Sequence, residues 1–417
     1  MRFHLFICSC FITAGILITA PATAFAQTPN TNPQAVQQEL DRLKNDFEAL
    51  KQQYGERIAA LEERIASLQS GGAAKPAEAP SVIGSSVGNA KLFNPDIAVI
   101  GDFLGTAGSN KVSPGPALEM HESEASFQAI VDPYARADFF VSFGEEGVNL
   151  EEGFVTFPAV PGGLLVKVGK MRAAFGKVNT LHNHSLPWTD RPLMTKNLLG
   201  GEDGINDAGF SVARLIPNPL FFLEATAQMF RGDSEDLFKS SKRRDLSYVG
   251  HLRAYQDISD SANVDLGFSY SQGHNASGLV NDVDLGRFQT RLYGADATVR
   301  WRPLRRAIYR SFVGRSEFVW SRRNQPDSIV RTDGYYVSGT YQFARRWFAG
   351  VRYDRAGRPD EASLKDKGQS LLLTYWPSEF SQLRGQFRRT QFATGKTANE
   401  FLMQFQFSIG AHGAHPF

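Results

Sequence analysis

From Asp96 onward the chain alternates. Ala135, Ala137, Phe139, Val141 and Phe143 are separated by Arg136, Asp138, Phe140 and Ser142. The same pattern runs through 221–229 and 335–343, and through the last segment, where Phe401, Met403, Phe405, Phe407 and Ile409 enclose Gln404, Gln406 and Ser408. Period two means strands with two unlike faces. About sixteen such segments follow one another, each roughly ten residues long, the length of a tilted strand crossing a bilayer. No window after Gln27 holds about 18 apolar residues, so no helix is available to cross one. In lipid the remaining solution is a closed barrel, because every backbone N–H and C=O must find a partner within the fold.

The connections sort by parity. Short ones lie near 132, 160, 217–219, 304, 345 and 377, and long ones at 105–118, 173–204, 231–245, 272–287, 321–331 and 355–367. Two connections on the long side, 144–147 and 393–397, are short. Outer-membrane barrels have short periplasmic turns on one rim and longer loops on the other. A soluble sandwich has no reason to sort loops this way. The expected fold is an all-β transmembrane β-barrel of about 16 antiparallel strands. The last segment then closes it against the first, and Phe417 resembles the terminal aromatic that the outer-membrane assembly machinery reads. Pro416 and the neighbouring glycines are poor strand formers, so pairing is expected to end near Ile409.

The first residues supply the address. Arg2, an apolar run from Leu5 to Ala20 and Ala24-Phe25-Ala26 read as a secretory signal peptide over 1–26. Both cysteines, Cys8 and Cys10, leave with it, which excludes a disulfide framework and Cys-based zinc. Val36, Leu40, Leu43, Phe47, Leu50 and Tyr54 step by four and three, and Ile58, Leu61, Ile65 and Leu68 resume the steps after a stutter. This predicts an N-terminal α-helical, periplasmic coiled coil over 27–70, spanning on the order of 50 Å. A single amphipathic helix lying on another surface is the alternative. Residues 71–94, rich in Gly, Ala, Pro and Ser, read as a flexible linker, and 95–417 as the barrel. The coiled coil either supports a trimer or reaches towards peptidoglycan as a tether.

The segment LLVKVGKMRAAFGKVN at 164–179, followed by WTDRPL at 188–193, resembles the outer-membrane porin family that includes the phosphate- and polyphosphate-selective porins, the porin O/P-like group. Val168-Gly169, Phe175-Gly176 and Asp190-Arg191 occur in the family's order, with Ala174 where the family usually has Pro. The resemblance implies a trimeric, general or anion-selective porin. Counting strands places 173–204 after the fifth, where porins of this size fold a loop into the lumen. Arg172, Lys177, His182, His184, Asp190, Arg191 and Lys196, with Glu202 and Asp203, are the candidate constriction residues. The alternative is a loop exposed on the cell surface.

A mid-strand charge facing lipid costs about 2–4 kcal/mol at the bilayer midplane. Parity accordingly assigns Arg136, Lys167, Arg253, Arg300, Arg315, Arg352, Arg384 and Arg388 to the lumen, with Glu122, Glu124, Asp138, Glu152, Glu224, Asp296 and Glu317. Arg352, Arg384 and Arg388, on neighbouring strands, are expected to form either a ladder for anions or ion pairs that stiffen the wall. His182-x-His184 and His412-x-x-His415 suggest a metal, but no companion ligand is fixed near either pair in sequence, so neither a metal nor a cofactor is assigned.

The near balance of 45 Lys and Arg against 43 Asp and Glu leaves no basic patch for nucleic acid. No G-x-S-x-G, H-E-x-x-H or Walker loop is present, so no enzyme is expected. The expected function is passive diffusion of small hydrophilic solutes or ions through an outer-membrane porin. A solute-specific uptake channel with a saturable site and a plugged barrel serving as a structural tether remain as alternatives.

Overall fold

The computed structural model describes residues 95–410, apart from 145–146, 236, 240–241, 281–282 and 285. The expectations for the signal peptide, coiled coil, linker, His412, His415 and Phe417 fall outside the described residues. The chain runs β1 (Asp96–Ser109), β2 (Leu118–Asp132), β3 (Ala135–Gly144), β4 (Gly147–Val160), β5 (Leu164–Arg172), then a helical turn α1 (Leu193–Leu198). It continues through β6 (Asn206–Leu215), β7 (Phe222–Phe230), β8 (Ser247–Ser259) and β9 (Ala262–His274). A small two-stranded hairpin follows, β10 (Leu279–Val280) with β11 (Val283–Asp284). The rest is β12 (Gln289–Trp301), β13 (Ser311–Asn324), β14 (Ile329–Ala344), β15 (Trp347–Gly357), β16 (Lys365–Ser378), β17 (Ser381–Gln391) and β18 (Thr397–Gly410).

All strands but β10 and β11 form one closed antiparallel barrel of 16. Each pairs with its sequence neighbours, and β18 returns to β1 in register from Ala98 opposite Gly410 to Ser109 opposite Asn399. That seam removes both sheet edges. The last segment therefore serves as the closing strand, paired from Asn399 to Gly410 among the described residues.

The two faces reverse the order of a soluble protein. In β18, Phe401, Met403 and Phe405 are exposed on the outside while Gln404 and Gln406 are buried within. In β16, Leu371 and Leu373 face out, and Ser370 and Thr374 face in. Near the short-turn rim, Trp301, Phe312 and Tyr341 stand opposite one another on successive strands, and Trp347 stacks on Tyr375 at 4.5 Å between centroids. An apolar belt with an aromatic girdle is the surface a bilayer covers.

One expected long connection is short. The residues 321–331 lie mostly in paired strand, because β13 and β14 stay in register out to Asn324 and Ile329, leaving 325–328 as the turn. The turn near 304 is longer than expected, occupying 302–310 with a 3₁₀ turn at Leu304–Arg306.

Gly169, in the Val-Gly step after Val168, has φ +143, a region closed to side chains. A Cβ there would overlap the Gly153 carbonyl oxygen and the Phe154 Cα on β4. Backbone strain of this kind costs about 1–3 kcal/mol before the overlap is counted. Gly169→Ala should lower the refolded fraction seen as heat-modifiable mobility on gels. Gly105→Ala, where the nearest atom to a new Cβ is Leu118 Cδ2 at 3.5 Å, should not. Equal refolded fractions for the two variants would remove this role for Gly169.

Candidate functional site

The 173–205 connection after β5 lies inside the barrel. Its base is closed by Ala173 N–H donating to the Ile205 carbonyl at 2.8 Å. The fully buried Asn179 holds both ends, donating to the carbonyls of Ala173 and Ile205 and accepting from Ile205 N–H at 2.8 Å. From there the loop bonds the wall all round. Ala174 N–H reaches Gln228 on β7, Gly176 N–H reaches Ser269 on β9, and Val178 N–H reaches Glu317 on β13. Asn197 of α1 donates to Asp366 on β16, and Thr189 to Gln386 on β17. A segment that touches strands on every side of a closed wall must cross the interior.

The Phe175-Gly176 step has a physical reason. Gly176 has φ +61, and a Cβ there would overlap the Glu317 carboxylate. That close approach lets Glu317 Oε1 accept from Val178 N–H at 2.9 Å and from Tyr336 Oη at 3.0 Å. Phe175, Trp188, Met194 and Leu198 then build an apolar core between loop and wall, with Trp188 edge-on to Tyr336 at 5.1 Å.

Asp190 is the second anchor. Its carboxylate pairs with Arg352 on β15 at 3.0 Å and with Arg388 on β17 at 2.8 Å, and it accepts from the Gln386 amide at 2.6 Å. Arg352 also binds Asp354 at 2.7 Å and lies over the Trp188 ring at 4.9 Å, while Arg388 binds Glu400 at 2.7 Å. The expected ladder of Arg352, Arg384 and Arg388 is therefore divided. Two members are spent on carboxylates that hold the loop. Arg384 is held by neutral groups, donating to Gln404 at 2.9 Å and Thr374 at 3.3 Å.

The third anchor gathers acids around histidine. His182 Nδ1 lies 2.8 Å from Glu124 Oε2 and 3.0 Å from Glu151 Oε2, and its Nε2 lies 2.7 Å from Glu152 Oε2. Burial disfavours the charged ring, but hydrogen bonds to Glu124, Glu151 and Glu152 outweigh it and raise the pKa well above its usual value. Arg172 caps the cluster, donating to Glu151 at 3.0 Å and, through its backbone N–H, to Glu152 at 2.7 Å. His184 lies 3.5 Å from Glu124. Parity alone missed Glu151. A β-bulge in β4, between the pairs Phe140–Glu152 and Val141–Leu150, turns two consecutive carboxylates inward. The tandem Glu151-Glu152 inside an alternating strand was the available sign. A second bulge, in β2, does the same for His121, 3.7 Å from Asp102.

Arg191 is fully buried, donating to Asn183 Oδ1 and to the carbonyls of Val178 and Leu181. Burial, with the nearby Arg172 charge, pushes its pKa down to about 10. Lys177 pairs with Asp265 at 2.8 Å, and Lys196 with Glu202 at 2.6 Å. On the wall, Arg253 shares Asp265, Arg136 pairs with Asp138 at 2.8 Å, and Lys167 lies over the Phe154 ring. Glu224 and Arg253 occupy opposite register positions on β7 and β8.

Two cavities flank the loop. One of about 260 Å³ lies on its short-turn side, lined by Lys177, Trp188, Arg300, Arg315 and Arg384. Arg300 has a carboxylate no nearer than Asp265 at 3.8 Å, and Arg315 and Arg384 have none in ion-pair range among the described residues. The other, about 160 Å³, carries both signs, with Glu119, Asp190, Lys196, Arg388 and Glu400.

No family model matches the chain. An uncharacterized protein of Aquifex aeolicus (strain VF5) is 30% identical over 387 residues, covering 78% of this chain and 81% of that one. Among solved structures the fold matches OprB of Pseudomonas putida, with TM-score 0.53, 12% identity and coverage of 77% of this chain and 95% of that one. It also matches an anion-selective porin from Comamonas acidovorans, with TM-score 0.52, 10% identity and coverage of 76% and 99%. A trimer form of the outer membrane protein OmpT of Vibrio cholerae matches with TM-score 0.51, 10% identity and coverage of 76% and 99%. At these identities the likeness is one of fold.

Removing one partner of a buried pair leaves the other charge uncompensated, which costs about 3–5 kcal/mol. Asp190→Asn should therefore lower the denaturant midpoint. Burial raises the Asp190 pKa, but Arg352, Arg388 and Lys196 pull it well below the usual carboxylate range. A depressed carboxyl contributes its stability above the unfolded value of about 3.9 and loses it only as pH falls through the folded one. The gap between wild type and variant should thus be equal at neutral pH and near pH 5. Coincident unfolding curves would show that the clamp carries no stability.

Proposed function

We propose that this chain, which belongs to one family with the uncharacterized Aquifex aeolicus protein, is an outer-membrane porin whose inward loop narrows the barrel to a small basic passage. The carrying observation is the segregation of charge along the lumen. Carboxylates and their partner cations are concentrated where the loop is tied to the wall. Arg315 and Arg384 face the cavity on the short-turn side with no carboxylate in ion-pair range among the described residues, and Arg300 beside them has only the shared Asp265, at 3.8 Å. Between low-dielectric walls such charges focus the field and concentrate counter-ions. Conduction of anions needs binding strong enough to admit them and weak enough to release them, and separate guanidinium groups suit that better than a single chelating site.

Outer-membrane placement is supported by the apolar outer face and aromatic girdle, and by a fold shared with outer-membrane porins. A homotrimer follows the trimer form of the Vibrio cholerae neighbour. The domain plan of signal peptide, periplasmic coiled coil and linker ahead of the barrel belongs to the same proposal. So does phosphate as a transported anion, which the sequence resemblance implies.

The test is single-channel recording of the refolded protein in planar bilayers under a salt gradient. The wild type should conduct with an anion-selective reversal potential. Arg315→Gln/Arg384→Gln should move that potential towards cations. An unmoved potential in the double variant ends the anion reading. Phosphate should reduce the chloride current if phosphate is carried. A folded barrel that passes no current would instead identify a plugged barrel.

A further inference from the structure

Among the described residues, Glu122 has no ion-pair partner of its own. It is 94% buried from solvent, by a fractional exposure of 6%, and its carboxylate lies beside Glu151 and the Asn183 amide. Neither oxygen makes a well-formed hydrogen bond. Across from it are Glu124, two residues along β2, and His184, carried in by the loop. One ligand atom from each of Glu122, Glu124 and His184 lies within 4.8 Å of the other two.

The charge around them does not balance. Glu122, Glu124, Glu151 and Glu152 are four carboxylates in one buried cluster. The cations that bond them directly are Arg172 and the His182 ring. Arg191 lies beyond, its guanidinium committed to Asn183 and two carbonyls. Buried charge is normally paired or bound to a metal. Two carboxylate oxygens with one imidazole nitrogen form a donor set for a borderline divalent ion, with a position left for water.

We propose that Glu122, Glu124 and His184 bind one divalent transition-metal ion, which staples the inward loop to β2. His182, fixed by Glu124, Glu151 and Glu152, orients the shared Glu124. The ion cross-links two segments 60 residues apart in the chain, as read from positions 124 and 184. Because it binds the folded arrangement and not the separated ligands, it adds to the stability of the loop's inward position. His184 also lines the cavity on the short-turn side of the loop.

The experiment uses the full refolded chain without an affinity tag, stripped with chelator and titrated with Zn²⁺ by calorimetry, with elemental analysis after gel filtration. One equivalent should bind. Glu122→Gln and His184→Gln should each weaken binding at least tenfold, while His412→Gln/His415→Gln, at the terminus, should leave it unchanged. Heat-modifiable mobility checks that each variant is folded. Loading the wild type with Co²⁺ gives a readout that needs no variant, because ligation by imidazole and carboxylate alters the visible d–d spectrum from that of the aqueous ion. The proposal is overturned if the wild type takes up no zinc, if uptake is lost only with the terminal histidines, or if bound Co²⁺ keeps its aqueous spectrum.

Discussion

Everything in this molecule depends on the seam between β1 and β18. An apolar medium offers backbone N–H and C=O groups no partners, so an open sheet would leave two rows of them bare. Closing the sheet satisfies both rows at once. It also divides the side chains into an outer set that meets only lipid and an inner set that meets only the protein and its water. The exposed Phe, Leu and Met of β16 and β18, and the buried Gln, Ser and Thr between them, follow from that single closure.

The inner set then has to be accommodated. The loop crosses the lumen and brings backbone amides and charges into its interior. Each of its anchors answers one such burial. Val178 N–H is met by Glu317, Asp190 by two arginines, and His182 by three carboxylates. Buried pairs of this kind give little net stability against an apolar alternative, but breaking one is costly, so they act mainly to hold a unique loop position. Among the described residues, Arg315 and Arg384 on one side and Glu122 on the other have no ion-pair partner.

Much of the barrel was legible in the sequence. Alternation carries strand type and facing, and the parity of loop lengths carries the even, closed topology. It failed locally where alternation itself fails. The bulges in β2 and β4 add a residue without adding a strand, so His121 and Glu151 turn inward against the count. The connection at 321–331 reads as a loop because its residues are polar, yet they pair as strand out to Asn324 and Ile329. The motif glycines were visible as letters. Their reasons, the Gly153 carbonyl under Gly169 and the Glu317 carboxylate under Gly176, were not.

By itself the sequence determined that the chain alternates from Asp96 onward, that no stretch after Gln27 is long and apolar enough for a membrane-crossing helix, and that its charges fall mostly on one face of each strand. Those are local properties, set by the two-residue repeat of an extended backbone and by what lipid tolerates. Which charges meet was decided only in three dimensions. Arg352 and Arg388 are 36 residues apart and lie on strands separated by β16, yet both close on Asp190. Glu122, Glu124 and His184 converge only once the loop has turned into the barrel. Such meetings depend on strand register, bulges and the path of one loop, and no repeat along the chain encodes them.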